Sequence, residues 1–115
     1  MNYRTAQIHI YVLRDPRDRS IKYVGQTRYP ATRLSQHVSG AIASHSISKN
    51  KKNIWILELL ELGKRPIIEF VTTGESVDEA ADIENQLIRK FVSIGYNLVN
   101  HDGVITKRAK KSIYR

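Results

Sequence analysis

The stretch from Gln7 to Leu13, QIHIYVL, alternates with a period of two. Ile8, Ile10 and Val12 fall on one side and Gln7, His9 and Tyr11 on the other, the pattern of a strand with one buried face. A polar turn containing a proline, RDPRDRS, follows, and then a second strand-like run, IKYVGQT. Two strands joined by so short a loop predict an antiparallel hairpin, which brings Tyr11 and Tyr23 into neighbouring strands.

Pro30 suits the first turn of a helix running through ATRLSQHVSG, with Gly40 as its stop. Leu34 and Val38 on that helix face the core, and Arg33 and His37, also four residues apart, share an adjacent face. AIASHSISKNKKN reads as a polar loop. IWILELLELG reads as a short apolar helix ended by Gly63, with Pro66 blocking its extension. IIEFVTT is a β-branched run and predicts the third strand. SVDE then has the capping-box pattern, Ser76 capping the amide of Glu79 while Glu79 reaches back. The helix it opens, Val77 to about Val92, carries a stripe of Ala80, Leu87, Ile88 and Phe91. YNLVN reads as a brief last strand or an ordered segment, and ITKRAKKSIYR as a basic tail. The order predicts an α+β fold, a small three-stranded, mainly antiparallel sheet flanked by helices. The expected division is one domain over residues 1–103 and a basic tail over 104–115.

A chain of 115 residues with 41% hydrophobic residues can build one modest core. Its formal net charge of +8 makes a polyanion the expected large partner, although charge alone speaks equally of solubility. The absence of cysteine excludes disulfides, thiolate zinc sites and thiol catalysis. The apolar part of the N-terminal stretch is too short for a signal peptide, and no run is long enough to span a bilayer. The expectation is an intracellular chain, cytoplasmic or nucleoid-associated, without membrane contact.

Glu84 is the most informative single residue. It falls on the inward stripe with Ala80, Leu87 and Ile88, where a carboxylate faces desolvation unless it is paired or binds a metal. A salt bridge to an arginine, or a place at the wet edge of the stripe, would also account for it. Arg33 and His37 form a pair able to grip a phosphate, and a solvated basic face is the plainer alternative. Tyrosines on strands such as Tyr11 commonly pack with a hydrogen-bonded hydroxyl. Gly25, near the end of the second strand, allows a backbone turn or the close approach of another group. There is no glycine-rich phosphate loop and no H-E-x-x-H, and His9, His37, His45 and His101 show no metal-ligand spacing.

Taken together, HIY at 9–11, YVG at 23–25, ATRLSQH, DIENQLI and the closing GYNLVN resemble the GIY-YIG nuclease superfamily. The stretch around Trp55, Ile56, Gly63 and Pro66 is similar to members of it as well, so the resemblance spans roughly residues 7 to 103. His9 stands where the family name has its first glycine, a position that shapes the strand's surroundings. The resemblance implies hydrolysis of a DNA phosphodiester with one divalent cation per site, magnesium or manganese. It implies Glu84 as the direct metal ligand, and Tyr11, with Tyr23 close by, as the group that positions or deprotonates the attacking water. Arg33, helped by His37, would stabilise charge on the phosphate, and Asn97 or Asn100 would hold the geometry.

The expected substrate is duplex or branched DNA, held by a basic groove. Candidates for that groove are Arg28, Lys49, Lys51 and Lys52, together with Lys107, Arg108, Lys110 and Lys111 in the tail. Sequence specificity is either modest or supplied by loops, homodimerisation, or a separate domain or protein. The alternative function is a noncatalytic basic nucleic-acid-binding module, a degenerate nuclease that binds without cutting.

Overall fold

The computed structural model describes residues 7–44 and 50–100. The elements run β1 (Ile8–Arg14), β2 (Ile21–Thr27), α1 (Arg33–Ala43), α2 (Lys51–Glu61), β3 (Ile67–Gly74) and α3 (Val77–Ile94). The sheet is antiparallel in the order β2-β1-β3, so the first strand is central and β2 lies at an edge. The fold is the expected α+β arrangement. No helix among the described residues is long and apolar enough to cross a membrane.

The expectation of one buried face on β1 is corrected. Ile8, Ile10 and Val12, with Ile21 and Val24, pack against Ala80 and Ile88 of α3. Tyr11 and Leu13, on the opposite side, are buried among Val38 and Ala41 of α1 and Trp55, Ile56 and Leu59 of α2. Both faces of the central strand are therefore covered, and the alternation misled because tyrosine counts as polar while its ring is a large apolar body.

The helix boundaries also shift. α1 starts at Arg33 rather than Pro30 and runs through Gly40 to Ala43. A side chain at Gly40 would meet nothing within 4 Å, so neither packing nor backbone requires the helix to stop there. The chain expected as loop up to Asn53 becomes helical at Lys51, because Asn50 caps the new helix by accepting from the Asn53 amide. Lys51 and Lys52 thus belong to a helical first turn. At the other end, Gly63 (φ 73°) donates to Leu60 O and Lys64 to Leu59 O, a Schellman closure. The Ser76 cap on Glu79 is present at 3.0 Å, but Glu79 reaches back to the amide of Glu75 rather than to that of Ser76. YNLVN is not a strand, though its Val99 amide pairs with Lys22 O along the β2 edge.

One buried polar knot joins the hairpin to the helices. Asp15, 5% exposed, accepts from the Arg17 amide and guanidinium and from the indole of Trp55 at 2.9 Å. The Arg17 contacts and the indole hold its carboxyl well below the usual carboxylate range. Removing the acceptor leaves the Trp55 N–H buried without a partner, so Asp15→Ala should cost about 1–3 kcal/mol. Urea unfolding followed by the emission of Trp55, the single tryptophan, measures it.

Candidate active site

The site grows from the middle of β1. Tyr11 is wholly buried and pairs across the hairpin with Gly25. A Cβ built on Gly25 would lie 2.5 Å from the Tyr11 hydroxyl and 2.8 Å from the Tyr23 ring. Of the two roles expected for this glycine, the structure shows the close approach. Its missing side chain is the space that lets the Tyr11 ring lie across β2. On β3, Phe70 pairs with Tyr11 and meets its ring edge-on at 6.0 Å. His9, in the same strand, meets Phe70 at 5.9 Å and so lines the flank of the site.

α1 delivers the next two groups from consecutive turns. Arg33 Nε donates to the Tyr11 hydroxyl at 2.9 Å, and His37 Nε2 lies 2.6 Å from the same oxygen. An arginine can only donate, so the phenolic oxygen is its acceptor, and in the tautomer that carries its proton on Nδ1 His37 accepts the phenol's own proton. Burial, with the positive charges of Lys52 and Arg33, pushes His37 down to about 3, which leaves its imidazole neutral and able to accept. Burial raises Tyr11 above the ordinary tyrosine value. Tyr23 and Glu84 add to that rise and Arg33 opposes it. Gln36 steadies Arg33 by accepting from Nη1 at 3.0 Å.

Tyr23 stands beside this cluster, its ring 6.2 Å from that of Tyr11 and 5.1 Å from that of His37. Its phenol is also raised, burial being the largest cause. The Lys52 ammonium sits 5.6 Å from the centre of the Tyr23 ring, in cation–π range. Burial and the nearby Arg33 lower its pKa. No carboxylate pairs with Lys52 among the described residues. Two cations thus converge on two phenols and a neutral imidazole, an arrangement open to an anion.

Glu84 reaches the same region from α3. It is half-buried at the edge of the stripe, while Ala80 and Ile88 are fully covered. Its Oε1 accepts from Gln26 Nε2 at 2.9 Å, and no arginine bridges to it among the described residues. The carboxylate acts electrostatically on both tyrosines. Asn100 grips the edge of β2 with its amide, accepting from Val24 N at 2.9 Å and donating to Val24 O at 2.7 Å. Its hold on the residue preceding Gly25 braces the strand where Tyr11 crosses it.

The structure therefore gathers Tyr11, Tyr23, Arg33 and His37, sets Glu84 beside them through Gln26, and ties Asn100 to the same strand. Asn97 is exposed and lines a different depression with Lys22 and Trp55. Arg28 shares a groove with Arg33, and Lys51 and Lys52 begin α2. Lys49, Lys107, Arg108, Lys110 and Lys111 lie outside the described residues. Sequence reasoning missed Gln26, Gln36 and Phe70. Gln26 carried a signal, since the period of two sets it on the same apolar face as Val24, where a lone amide needs a partner.

The chain matches a family model, the GIY-YIG catalytic domain, over residues 7–97. Searches of curated proteins and of solved structures returned no match.

Gly25→Ala should displace the Tyr11 hydroxyl from His37 and destabilise the fold by about 1–3 kcal/mol, because the neighbours are ring atoms with little room to yield. Denaturant unfolding beside a circular-dichroism spectrum checks it. His37 makes a second prediction. Its folded pKa lies below the unfolded value near ~6.5, so its contribution to stability is complete above that pH and is lost as pH falls towards 3. The thermal midpoint should decline across that window, and His37→Gln should flatten the decline.

Proposed function

The chain belongs to the GIY-YIG nuclease superfamily, and from that premise we propose that it is a metal-dependent DNA endonuclease working at the Tyr11 cluster. The observation that carries the proposal is the Tyr11 hydroxyl held between a guanidinium that can only donate and a neutral imidazole that can accept. Nucleases of this superfamily generally depend on a divalent metal. The described residues contain no group of three or more His, Cys, Asp or Glu able to cage an ion. One carboxylate suffices for magnesium, which keeps several waters and takes phosphate oxygens from its substrate. Glu84 fits that part, with Oε1 bonded to Gln26 and its other oxygen without a protein partner among the described residues. A single magnesium or manganese ion held there would supply Lewis-acid polarisation of the phosphate.

The chain's own groups do the rest. Tyr11 positions the attacking water through a hydroxyl that Arg33 and His37 hold in place, and the water's proton is released to solvent. The water oxygen bonds to phosphorus, and the leaving ester oxygen departs with the electron pair of the broken bond. Arg33 and Lys52 meet the negative charge that grows on the phosphate, in a site dry enough for that attraction to count. Tyr23 flanks the water-positioning phenol, and Asn100, rather than the exposed Asn97, is the geometric brace. Arg28 and Lys52 flank the cluster and track neighbouring phosphates, while Lys51, in the depression with Asn97, and the basic residues of a tail over 104–115, beyond a nuclease unit over 1–103, add to the attraction for the DNA backbone.

The test is a cleavage panel of plasmid, nicked, flapped and branched DNA in magnesium, manganese or EDTA. Cutting should require the divalent metal. Glu84→Ala should reduce it by at least about 100-fold while DNA binding persists. Cleavage by that variant at the wild-type rate would remove Glu84 from the site, and salt-sensitive binding with no cleavage at all would favour the noncatalytic module.

A further inference from the structure

Between β2 and α1 the chain presents one aromatic ring to solvent. Tyr29 is 66% exposed, yet its backbone is fixed: its N–H donates to Thr27 Oγ1 at 2.9 Å and its carbonyl accepts from the Thr32 amide at 3.2 Å. The ring is thus displayed on a hydrogen-bonded turn. With Arg28, Arg33, Gln26 and Gln36, Tyr29 lines a groove of about 400 Å³. Arg33 and Gln26 belong to the catalytic cluster as well, the first bonded to Tyr11 and the second to Glu84. The groove therefore opens directly beside the point where the phosphate would be cut.

Its chemistry suits a base rather than another stretch of backbone. Gln26, whose Nε2 is given to Glu84, keeps its amide oxygen for a base edge, Gln36 is held between Arg33 and Thr32 as a polar wall, and Tyr29 offers a π face. Arg28 and Arg33 match the negative charge of the flanking phosphates. A base inside a continuous duplex has both faces stacked on its neighbours and cannot use such a ring. An unpaired base can. We propose that this groove binds an unstacked nucleobase next to the scissile phosphate, with Tyr29 as its stacking platform. The preferred substrate class is then DNA with an unpaired nucleotide at the cut site, such as a flap or a gap, over continuous duplex. The base's place beside the cut rests on the nuclease reading, but the binding preference does not.

The experiment uses the full chain in EDTA. Fluorescence anisotropy compares a labelled duplex bearing a short unpaired flap with the same duplex fully paired. A 2-aminopurine in the first unpaired position reports stacking by its quenching. The wild type should bind the flapped DNA about tenfold more tightly and quench the probe. Tyr29→Ala should bring flap affinity down to that of paired duplex and abolish quenching, whereas Tyr29→Phe, which keeps the ring, should retain both. Equal affinity of the wild type for the two DNAs, or an undiminished flap preference with quenching in Tyr29→Ala, would overturn the proposal. The titrations contain no divalent metal and do not depend on cleavage, so a failure to cut DNA in magnesium counts against the nuclease reading alone. A flap preference indifferent to Tyr29 counts against the stacking platform alone.

Discussion

The Tyr11 hydroxyl is the point on which the structure turns. It accepts from Arg33 Nε at 2.9 Å and lies 2.6 Å from His37 Nε2, in a place where its ring has no exposure to water. Burying a phenol is costly unless its oxygen and its proton both find partners. Here the two partners come from successive turns of one helix, so satisfying the hydroxyl also fixes α1 against the sheet. The same contact sets the electrostatics. A neutral His37 follows from burial beside Lys52 and Arg33, and a neutral ring with its proton on Nδ1 presents Nε2 to the phenol as an acceptor. Packing and chemistry at this site are consequences of one hydrogen-bonded triad.

The sheet is built to make room for that triad. β1 lies between β2 and β3 and is covered on both faces, which places Tyr11 at the centre of the molecule. Its ring crosses β2 at Gly25, where a methyl group would already collide. Beyond Gly25 the edge strand turns its other face to α3, and Gln26 there meets Glu84. One strand therefore links two chemically different sides of the site, phenols and cations on one and a carboxylate on the other. Asn100 clamps the strand at Val24, the residue just before the crossing.

Much of this was legible in the sequence, for identifiable reasons. The hairpin, the third strand and α3 with its Ser76 cap followed from local pattern and turn chemistry, which act over a few residues. The hairpin set Tyr11 beside Tyr23 and helical spacing set Arg33 beside His37, but only the resemblance to the nuclease family joined the two pairs. Other features depended on contacts distant in sequence. The second buried face of β1 was hidden because Tyr11 reads as polar until a helix covers its ring. Gly40 reads as a helix stop, yet open space around it makes it merely a weak helical residue. The early start of α2 rests on the Asn50 cap in a polar run. Gln26 found its partner 58 residues away, a distance no local pattern spans.

The proposed cleavage depends on the hydroxyl of Tyr11, and not merely on its ring. Tyr11→Phe keeps the ring in its pocket and removes one oxygen. Single-turnover cleavage of plasmid DNA in magnesium, compared with the wild type, isolates that atom. A loss of about 100-fold or more with DNA affinity retained is expected, the range seen when a group that positions the attacking water is removed. Cleavage by Tyr11→Phe at the wild-type rate would contradict it.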